Sequence, residues 1–277
     1  MNGPDLVLPG WPAPAGVRAT FTLRTGGVSR PPFDSFNIGA HVGDEPHAVE
    51  ENRRRLRERL GLPAEPAWLS QVHGTRVADL DAEGSNGSLE PADAAVTHAA
   101  GRVCAIQVAD CMPVLVASAD GAAIGAAHAG WRGLAGGVLE GVVAAMGVPP
   151  ESLLAWLGPA IGQAQFEVGE EVRAAFLAAD EGAAGEFTAN PRGRWQCDLH
   201  GLARRRLTAL GVGWVYGGNW CTYADAGRFF SYRRDGRCGR MAALIWRVPE
   251  QAQGGAQPRQ VAEVASKNRA FSRVDDT

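Results

Sequence analysis

Short apolar segments separated by turn residues dominate the first half of the chain. Segments of four to six residues that end at glycine or acidic residues predict strands of a mixed β-sheet. We place these strands at residues 68–72, 77–80, 94–97, 103–108, 113–117 and 123–127. An earlier stretch, 17–24, alternates apolar and polar residues and runs into Thr25-Gly26-Gly27, so it predicts a further strand followed by a turn.

Other segments of the chain predict helices. Asp44 is predicted to cap a helix that begins at Pro46, with proline in its first turn, and that stops at Leu60 before Gly61. Further helices are predicted at 131–146, 168–179 and 199–210, and further strands at 153–157, 229–233 and 241–247. The glycines of the 131–146 segment predict a helix that lies close against neighbouring backbone. Together these elements indicate an α/β fold.

The end of the chain differs in composition from the rest. After Pro249 the sequence contains little that a core would bury. We therefore predict one domain over residues 1–248 and a polar, mobile C-terminal tail over 249–277.

The net charge of the chain limits the kinds of partner that it is expected to bind. The 277 residues have a formal net charge of -3, so no global basic field attracts nucleic acid or anionic lipid, and we expect neither as a partner. Lys267 is the only lysine, which disfavours Schiff-base chemistry and leaves anion binding to arginine.

Cysteine usage and the N-terminal residues indicate the compartment. The five cysteines contain no C-x-x-C pair, which argues against a disulfide framework and a ribbon-type zinc site. The start of the chain shows no basic segment followed by an apolar core, and the longest apolar stretch, 103–118, is too short to span a bilayer. We expect a cytoplasmic protein.

Three short segments that each follow an apolar run carry possible metal ligands: Gln71-Val72-His73-Gly74, Ala109-Asp110-Cys111-Met112-Pro113 and His128-Ala129-Gly130-Trp131-Arg132-Gly133. Two imidazoles and one thiolate would form a three-ligand zinc site with its fourth position open, as in catalytic zinc sites. Only the fold can bring these segments together.

Three other interpretations of these residues stay open at this point. In the first, the residues are ordinary packed side chains and bind no metal: His73, Cys111 and His128. In the second, Cys111 is a thiol nucleophile activated by either histidine and oriented by Asp110. In the third the metal is copper, with Met112 as an axial ligand, although adjacent strand residues point to opposite faces.

The motifs of this chain closely resemble those of the YfiH-like family, long labelled multicopper polyphenol oxidase or laccase-domain proteins and later reassigned as purine nucleoside phosphorylases. The resemblance covers about residues 17–247 and includes the three ligand-bearing segments. Its other motifs are Arg24-Thr25-Gly26-Gly27-Val28-Ser29, Asn37-Ile38-Gly39, Ala92-Asp93-Ala94-Ala95-Val96-Thr97, Leu157-Gly158-Pro159-Ala160-Ile161-Gly162, Phe166-Glu167-Val168-Gly169 and Phe229-Phe230-Ser231-Tyr232-Arg233-Arg234-Asp235-Gly236.

The resemblance implies a fold, a cofactor and an activity. The expected fold is a single-domain α/β/β sandwich with mixed sheets, and His73, Cys111 and His128 fall on the family's zinc ligands. The implied reaction is phosphorolysis of adenosine, inosine and methylthioadenosine to free base and pentose 1-phosphate, with adenosine deamination as a side activity. Purine nucleoside and phosphate are then the partners of a monomer or homodimer.

Alternatives to this activity are a cysteine hydrolase of amide bonds, for example in peptidoglycan precursors, and a metal- or nucleoside-binding protein without turnover. A copper-dependent polyphenol oxidase is a further alternative. The chain has only six histidines and no His-x-His pair, too few for the several copper centres of a multicopper oxidase, although one Cu²⁺ could replace zinc.

Phosphorolysis requires positive charge and aimed donors around phosphate and ribose. The predicted substrate-binding residues lie beside glycine turns or family motifs: Arg24, Asn37, Arg132, Arg233 and Arg240. We expect Arg132 to bind phosphate; the alternative is an ion pair with Asp110. Asp110 itself is predicted to be a proton shuttle or, preferably, a hydrogen-bond acceptor for a metal ligand.

Overall fold

Three β-sheets and six α-helices form residues 5–82 and 90–248, the part of the chain that the computed structural model describes. The strands are β1 (Leu6–Val7), β2 (Val17–Thr22), β3 (Ala67–Trp68), β4 (Val77–Asp79), β5 (Ala94–Thr97), β6 (Val103–Val108), β7 (Met112–Ser118), β8 (Ile124–Ala129), β9 (Leu153–Leu157), β10 (Glu167–Val168), β11 (Phe187–Ala189), β12 (Trp195–Cys197), β13 (Trp214–Gly217) and β14 (Met241–Arg247). The helices are α1 (Pro46–Leu60), α2 (Trp131–Gly136), α3 (Val138–Ala145), α4 (Glu170–Leu177), α5 (Leu199–Ala209) and α6 (Tyr232–Asp235). The predicted tail, 249–277, lies outside the described residues.

Two large mixed sheets form the centre of the fold. One has the strand order β1-β2-β14-β6-β3 and the other has the order β13-β9-β7-β8-β5-β4. Parallel pairs at β3–β6, β4–β5 and β13–β9 interrupt the antiparallel pairing. A small third sheet has the order β10-β12-β11. The prediction of mixed sheets is confirmed.

Apolar residues pack in three layers around these sheets. Phe21 and Ile106 of the five-stranded sheet meet Leu115 and Trp156 of the six-stranded sheet in the layer between them. Helices α2 to α5 cover the opposite face of the six-stranded sheet. The arrangement is the expected α/β/β sandwich, and α1 adds a cover on the outer face of the five-stranded sheet through Leu56.

The predicted helix 131–146 is in fact two helices. Gly137 separates α2 from α3 with a φ of 100°, a left-handed conformation that glycine adopts without steric cost. The predicted close approach is confirmed, because a Cβ placed at Gly133 would lie 2.8 Å from the carbonyl oxygen of Gly74. Helix α2 therefore packs directly against the loop that carries His73.

One predicted strand is much shorter in the structure, and another is wrong. The 68–72 segment pairs only at β3, and the backbone N–H of Val72 donates to a side chain instead of a neighbouring strand. In the 229–233 segment, Phe229 and Phe230 are buried between the two large sheets, while Ser231 accepts a hydrogen bond from the N–H of Arg234 and caps α6. The apolar residues of this segment therefore pack in the core, but their backbone does not pair with a neighbouring strand.

Other predicted details also differ from the structure. Glu45, and not Asp44, occupies the N-cap of α1. The predicted helix 168–179 is shorter, because Val168 belongs to β10 and α4 begins after Gly169. The small sheet of β10, β11 and β12 was not predicted from the sequence. No helix within the described ranges is long and apolar enough to cross a membrane.

Helix α1 is attached to the sheet through a buried amide as well as through Leu56. The Asn52 amide nitrogen donates to Ser29 Oγ at 3.0 Å and to the Asn37 carbonyl at 2.8 Å, and its oxygen accepts from the N–H of Val28 at 2.9 Å. Asn52 thus fixes the loop that follows β2.

We predict that Asn52→Ala lowers the free energy of unfolding by about 2 kcal/mol, because it leaves buried donors and acceptors of that loop unpaired. Urea denaturation measures the change. Arg59→Ala, at an exposed position of the same helix, is the control and should change the free energy of unfolding by less than about 0.5 kcal/mol. Equal effects of the two substitutions would contradict this role of Asn52.

Candidate metal centre

Three segments that are distant in sequence bring His73, Cys111 and His128 together. His73 lies in the loop between β3 and β4, Cys111 lies in the turn between β6 and β7, and His128 belongs to β8. Strands β7 and β8 pair with Pro113 opposite His128, so the start of β7 lies beside the end of β8. The turn before β7 therefore places Cys111 close to His128.

The side chains converge on one point. Their ligand atoms all lie within 4.8 Å of one another, and Cys111 Sγ is 3.8 Å from His73 Nε2. The two imidazole rings are 4.8 Å apart between centroids, at an angle of 68°. The predicted proximity of the three residues is confirmed, and the group could hold a metal ion.

Asp93 holds this arrangement in place. Its carboxylate is fully buried and accepts from His128 Nδ1 at 2.8 Å. It also accepts from the backbone N–H groups of Val72, His73 and Gly74 at 3.1, 2.9 and 2.7 Å. Because His128 uses Nδ1 for this bond, its Nε2 faces the other two ligands.

Local backbone geometry also fits the cluster. His73 has a φ of 61°, a left-handed conformation that the three bonds from its loop to Asp93 support. Gly130 allows the next close approach, since a Cβ there would lie 2.9 Å from Cys111 Sγ and 3.2 Å from His73 Cδ2. Glycine is therefore required beside the thiol.

The electrostatics favour a charged thiolate. Burial acts to raise the pKa of Cys111, but the facing imidazoles of His128 and His73 outweigh it and lower the pKa to about 6. Burial likewise acts to lower the pKa of His128, while Cys111 and Asp93 raise it to about 9. The buried cysteine Cys104 shows the contrast, because burial without a cationic neighbour raises its pKa to about 12.

The donor set fits a zinc ion. Two imidazole nitrogens and one thiolate are borderline-soft ligands, and the carboxylate that orients His128 is the usual companion of a metal-bound histidine. No fourth histidine, cysteine or carboxylate joins the group within residues 5–82 and 90–248. His73 is exposed whereas His128 is buried, so the group opens to solvent on the side of His73.

Asp110 does not accept a hydrogen bond from a ligand, contrary to the preferred prediction. Its two carboxylate oxygens accept instead from Thr222 Oγ1 at 2.6 Å and from the backbone N–H of Arg233 at 2.7 Å. Asp110 therefore attaches α6 to the turn that carries Cys111. A role for Asp110 as a proton shuttle stays a prediction.

Two of the predicted substrate residues are bonded within the protein. The Arg24 guanidinium donates to the carbonyls of Asp34 and Ala226. The buried Asn37 amide accepts from the backbone N–H groups of Gly39 and Arg240. Both residues fix the loop between β2 and α1, and direct contact with substrate stays a prediction.

The other three predicted arginines lie near the surface. Arg233 donates to the Glu167 carbonyl, and Arg240 donates to the carbonyls of Cys238 and Gly239. Arg132 is exposed, and its guanidinium lies 4.4 Å from the centroid of the Trp131 ring. Arg132 makes no hydrogen bond or ion pair within the described residues, and it does not pair with Asp110.

A family model matches most of the chain. The model described as multi-copper polyphenol oxidoreductase laccase matches residues 18–248. YfiH of Escherichia coli, named a purine nucleoside phosphorylase, is 50% identical over 243 residues that cover 88% of this chain and 99% of the relative. The chain belongs to the YfiH-like family.

Other YfiH-like proteins cover the same domain. A protein of Pseudomonas aeruginosa that is named a purine nucleoside phosphorylase is 55% identical over 240 residues, 86% of this chain and 96% of its own length. A solved structure from Neisseria meningitidis, 48% identical, matches with a TM-score of 0.84 over 88% of this chain and 99% of its own. YlmD of Geobacillus stearothermophilus, 32% identical, has a TM-score of 0.81 and covers 90% and 98%. The resemblance predicted from the motifs is confirmed.

Sequence reasoning assigned no role to Asp93 or His41. Asp93 lies in the family motif at residues 92–97, but nothing local in the sequence showed that its carboxylate reaches two ligand segments. His41 was also missed. Burial lowers the pKa of His41, and the positive charges of Arg240, Arg53 and His128 lower it further. His41 therefore lies within electrostatic range of both Arg240 and the ligand His128.

We predict that Asp93→Asn lowers zinc affinity by about 10- to 100-fold, because the amide weakens the bond that orients His128. Competition against a chromophoric chelator measures the affinity. Asp110→Asn is the matched control, since its carboxylate bonds to Thr222 and Arg233, and it should change zinc affinity by less than roughly twofold. A larger loss in Asp110→Asn than in Asp93→Asn would refute the assignment.

Proposed function

We propose that this protein is a zinc-dependent purine nucleoside phosphorylase. It converts adenosine, inosine and methylthioadenosine to the free base and a pentose 1-phosphate, and it deaminates adenosine as a side activity. The observation that carries the proposal is the open three-ligand group of His73, Cys111 and His128 on Asp93. The Pseudomonas and Escherichia relatives are named purine nucleoside phosphorylases, which supports the reaction class.

Zinc is the proposed ion because the ligands leave one position free, as in catalytic zinc sites. A bound zinc ion would supply positive charge and lower the pKa of coordinated water to about 7. Cu²⁺ binds similar nitrogen and sulfur ligands and is a possible substitute. The six histidines of the chain cannot supply several copper centres, which disfavours a multicopper oxidase.

The chain's own residues would hold phosphate against the nucleoside. In phosphorolysis a phosphate oxygen bonds to the anomeric carbon while the carbon–nitrogen bond breaks, and the base leaves with the electron pair and takes up a proton. Arg132 follows His128 by four residues, and its guanidinium is free to donate. Its two-pronged geometry matches phosphate oxygens. His41, which lies within electrostatic range of Arg240 and His128, would contribute a further polar group.

A cysteine hydrolase of amide bonds is the second candidate. The lowered pKa of Cys111 beside two imidazoles is also what a thiol nucleophile requires. Asp93 would then orient His128 as Asp or Asn does in a catalytic triad. The two candidates differ in their dependence on metal.

We predict that the zinc-loaded protein releases adenine from adenosine only when phosphate is present and loses this activity after treatment with a chelator. Chromatography of adenine, inosine and ribose 1-phosphate separates phosphorolysis from deamination. Zinc added back should restore phosphorolysis and deamination. Amide-bond hydrolysis that survives the chelator and is abolished by thiol alkylation, in a protein that releases no adenine, would support the hydrolase instead.

Arg132→Lys should decrease phosphorolysis by about tenfold or more, because lysine keeps the charge but loses the bidentate fork. Deamination, which needs no phosphate, should fall less. The KM for phosphate, measured at saturating inosine, is the direct readout. Arg59→Lys in α1 is the control and should leave both activities intact. Equal losses of the two activities in Arg132→Lys would mean that Arg132 does not act on phosphate.

A further inference from the structure

Two exposed side chains belong to segments that adjoin the metal ligands in sequence or through a hydrogen bond. Five large hydrophobic side chains are exposed in the described part of the chain, and among them Tyr232 is the most exposed at 60%, followed by Val72 at 59%. Val72 is the neighbour of His73. Tyr232 begins α6, which is bonded to the turn that carries Cys111. An exposed aromatic ring beside a polar site is typical of a ligand contact.

Helix α6 is held rigidly beside Cys111. The N–H of Arg233 donates to Asp110, and the Arg234 guanidinium donates to the carbonyls of Thr222, Tyr223 and Phe229, each at 2.9 Å. These bonds fix the backbone of Tyr232 near the metal group. The hydrogen bond from the Arg233 N–H to the Asp110 carboxylate links the two segments. The bond lengths along this path limit the distance between the Cα atoms of Tyr232 and Cys111 to roughly 13 Å.

The Tyr232 ring is supported on one side and open on the other. The guanidinium carbon of Arg240 lies 5.9 Å from the ring centroid. Arg240 is itself fixed, because it donates to the carbonyls of Cys238 and Gly239 and its backbone N–H donates to Asn37. A ring held from one face and exposed over most of its area presents a flat apolar surface.

We propose that Tyr232 is the platform on which the purine base of the substrate stacks, with Arg240 holding the ring in place. The inference rests on the proposed function and extends it to the base-binding subsite. Stacking on tyrosine tolerates different purines, since every base has a π-face. The proposed use of both adenosine and inosine is what such a platform allows.

The test measures binding of inosine to zinc-loaded protein by calorimetry without phosphate, so that no turnover occurs. Tyr232→Ala should raise the dissociation constant for inosine by about 10- to 100-fold. Tyr232→Phe keeps the ring and should remain within about threefold of the wild-type value. Zinc content and the KM for phosphate should not change in either variant. Trp214→Ala, at another exposed aromatic residue, is the control and should bind inosine normally.

The outcomes separate this inference from the proposed function. Unchanged inosine binding by Tyr232→Ala overturns the platform, and so does a loss in Tyr232→Phe as large as in Tyr232→Ala. A change of oligomeric state in Tyr232→Ala with normal inosine binding would make the ring a subunit contact and would also overturn it. Wild-type protein that binds inosine through Tyr232 but releases no hypoxanthine with phosphate would leave the platform standing and refute phosphorolysis.

Discussion

One buried carboxylate organises the candidate site. Asp93 precedes β5, which pairs with β8, and its backbone carbonyl accepts from the N–H of His128 at 2.7 Å while its side chain accepts from the imidazole. Burial acts to raise the pKa of Asp93, but the bonds from His128 and from the loop N–H groups lower it below its usual value. The ionised form is therefore stabilised by four donors that a buried charge requires. Two of the three ligand segments are fixed by this one group.

The third segment depends on close backbone packing. Cys111 needs Gly130 beside its sulfur, and the His73 loop needs Gly133 beside the carbonyl of Gly74. Asp110 attaches α6 to the Cys111 turn, so Tyr232 and the metal group share one rigid frame. The sandwich thus supplies a fixed edge at which side chains from distant parts of the chain converge.

The sequence predicted features that depend on residue type and local spacing. Helix α1 follows from the proline and glycine at its ends, and the three metal ligands follow from their chemistry and from the family motifs. Asp93 was not assigned a role, because its partners lie 20 and 35 residues away in sequence and only the fold joins them. The run from Phe229 was misassigned, because apolar periodicity alone cannot distinguish a buried strand from core side chains on a loop. Gly137 adopts a left-handed conformation and divides the predicted helix in two. The sequence did not predict this division, because composition alone does not show which glycine adopts that conformation.

X-ray absorption at the zinc edge of the zinc-reconstituted protein tests the central claim most directly. The expected zinc shell contains one sulfur at about 2.3 Å, two imidazole nitrogens at about 2.0–2.1 Å and one further light atom that exchanges with solvent. Cys111→Ser should remove the sulfur contribution and leave the imidazoles. A shell with a second sulfur, or one without sulfur in the wild-type protein, would contradict a site built from His73, Cys111 and His128 on Asp93.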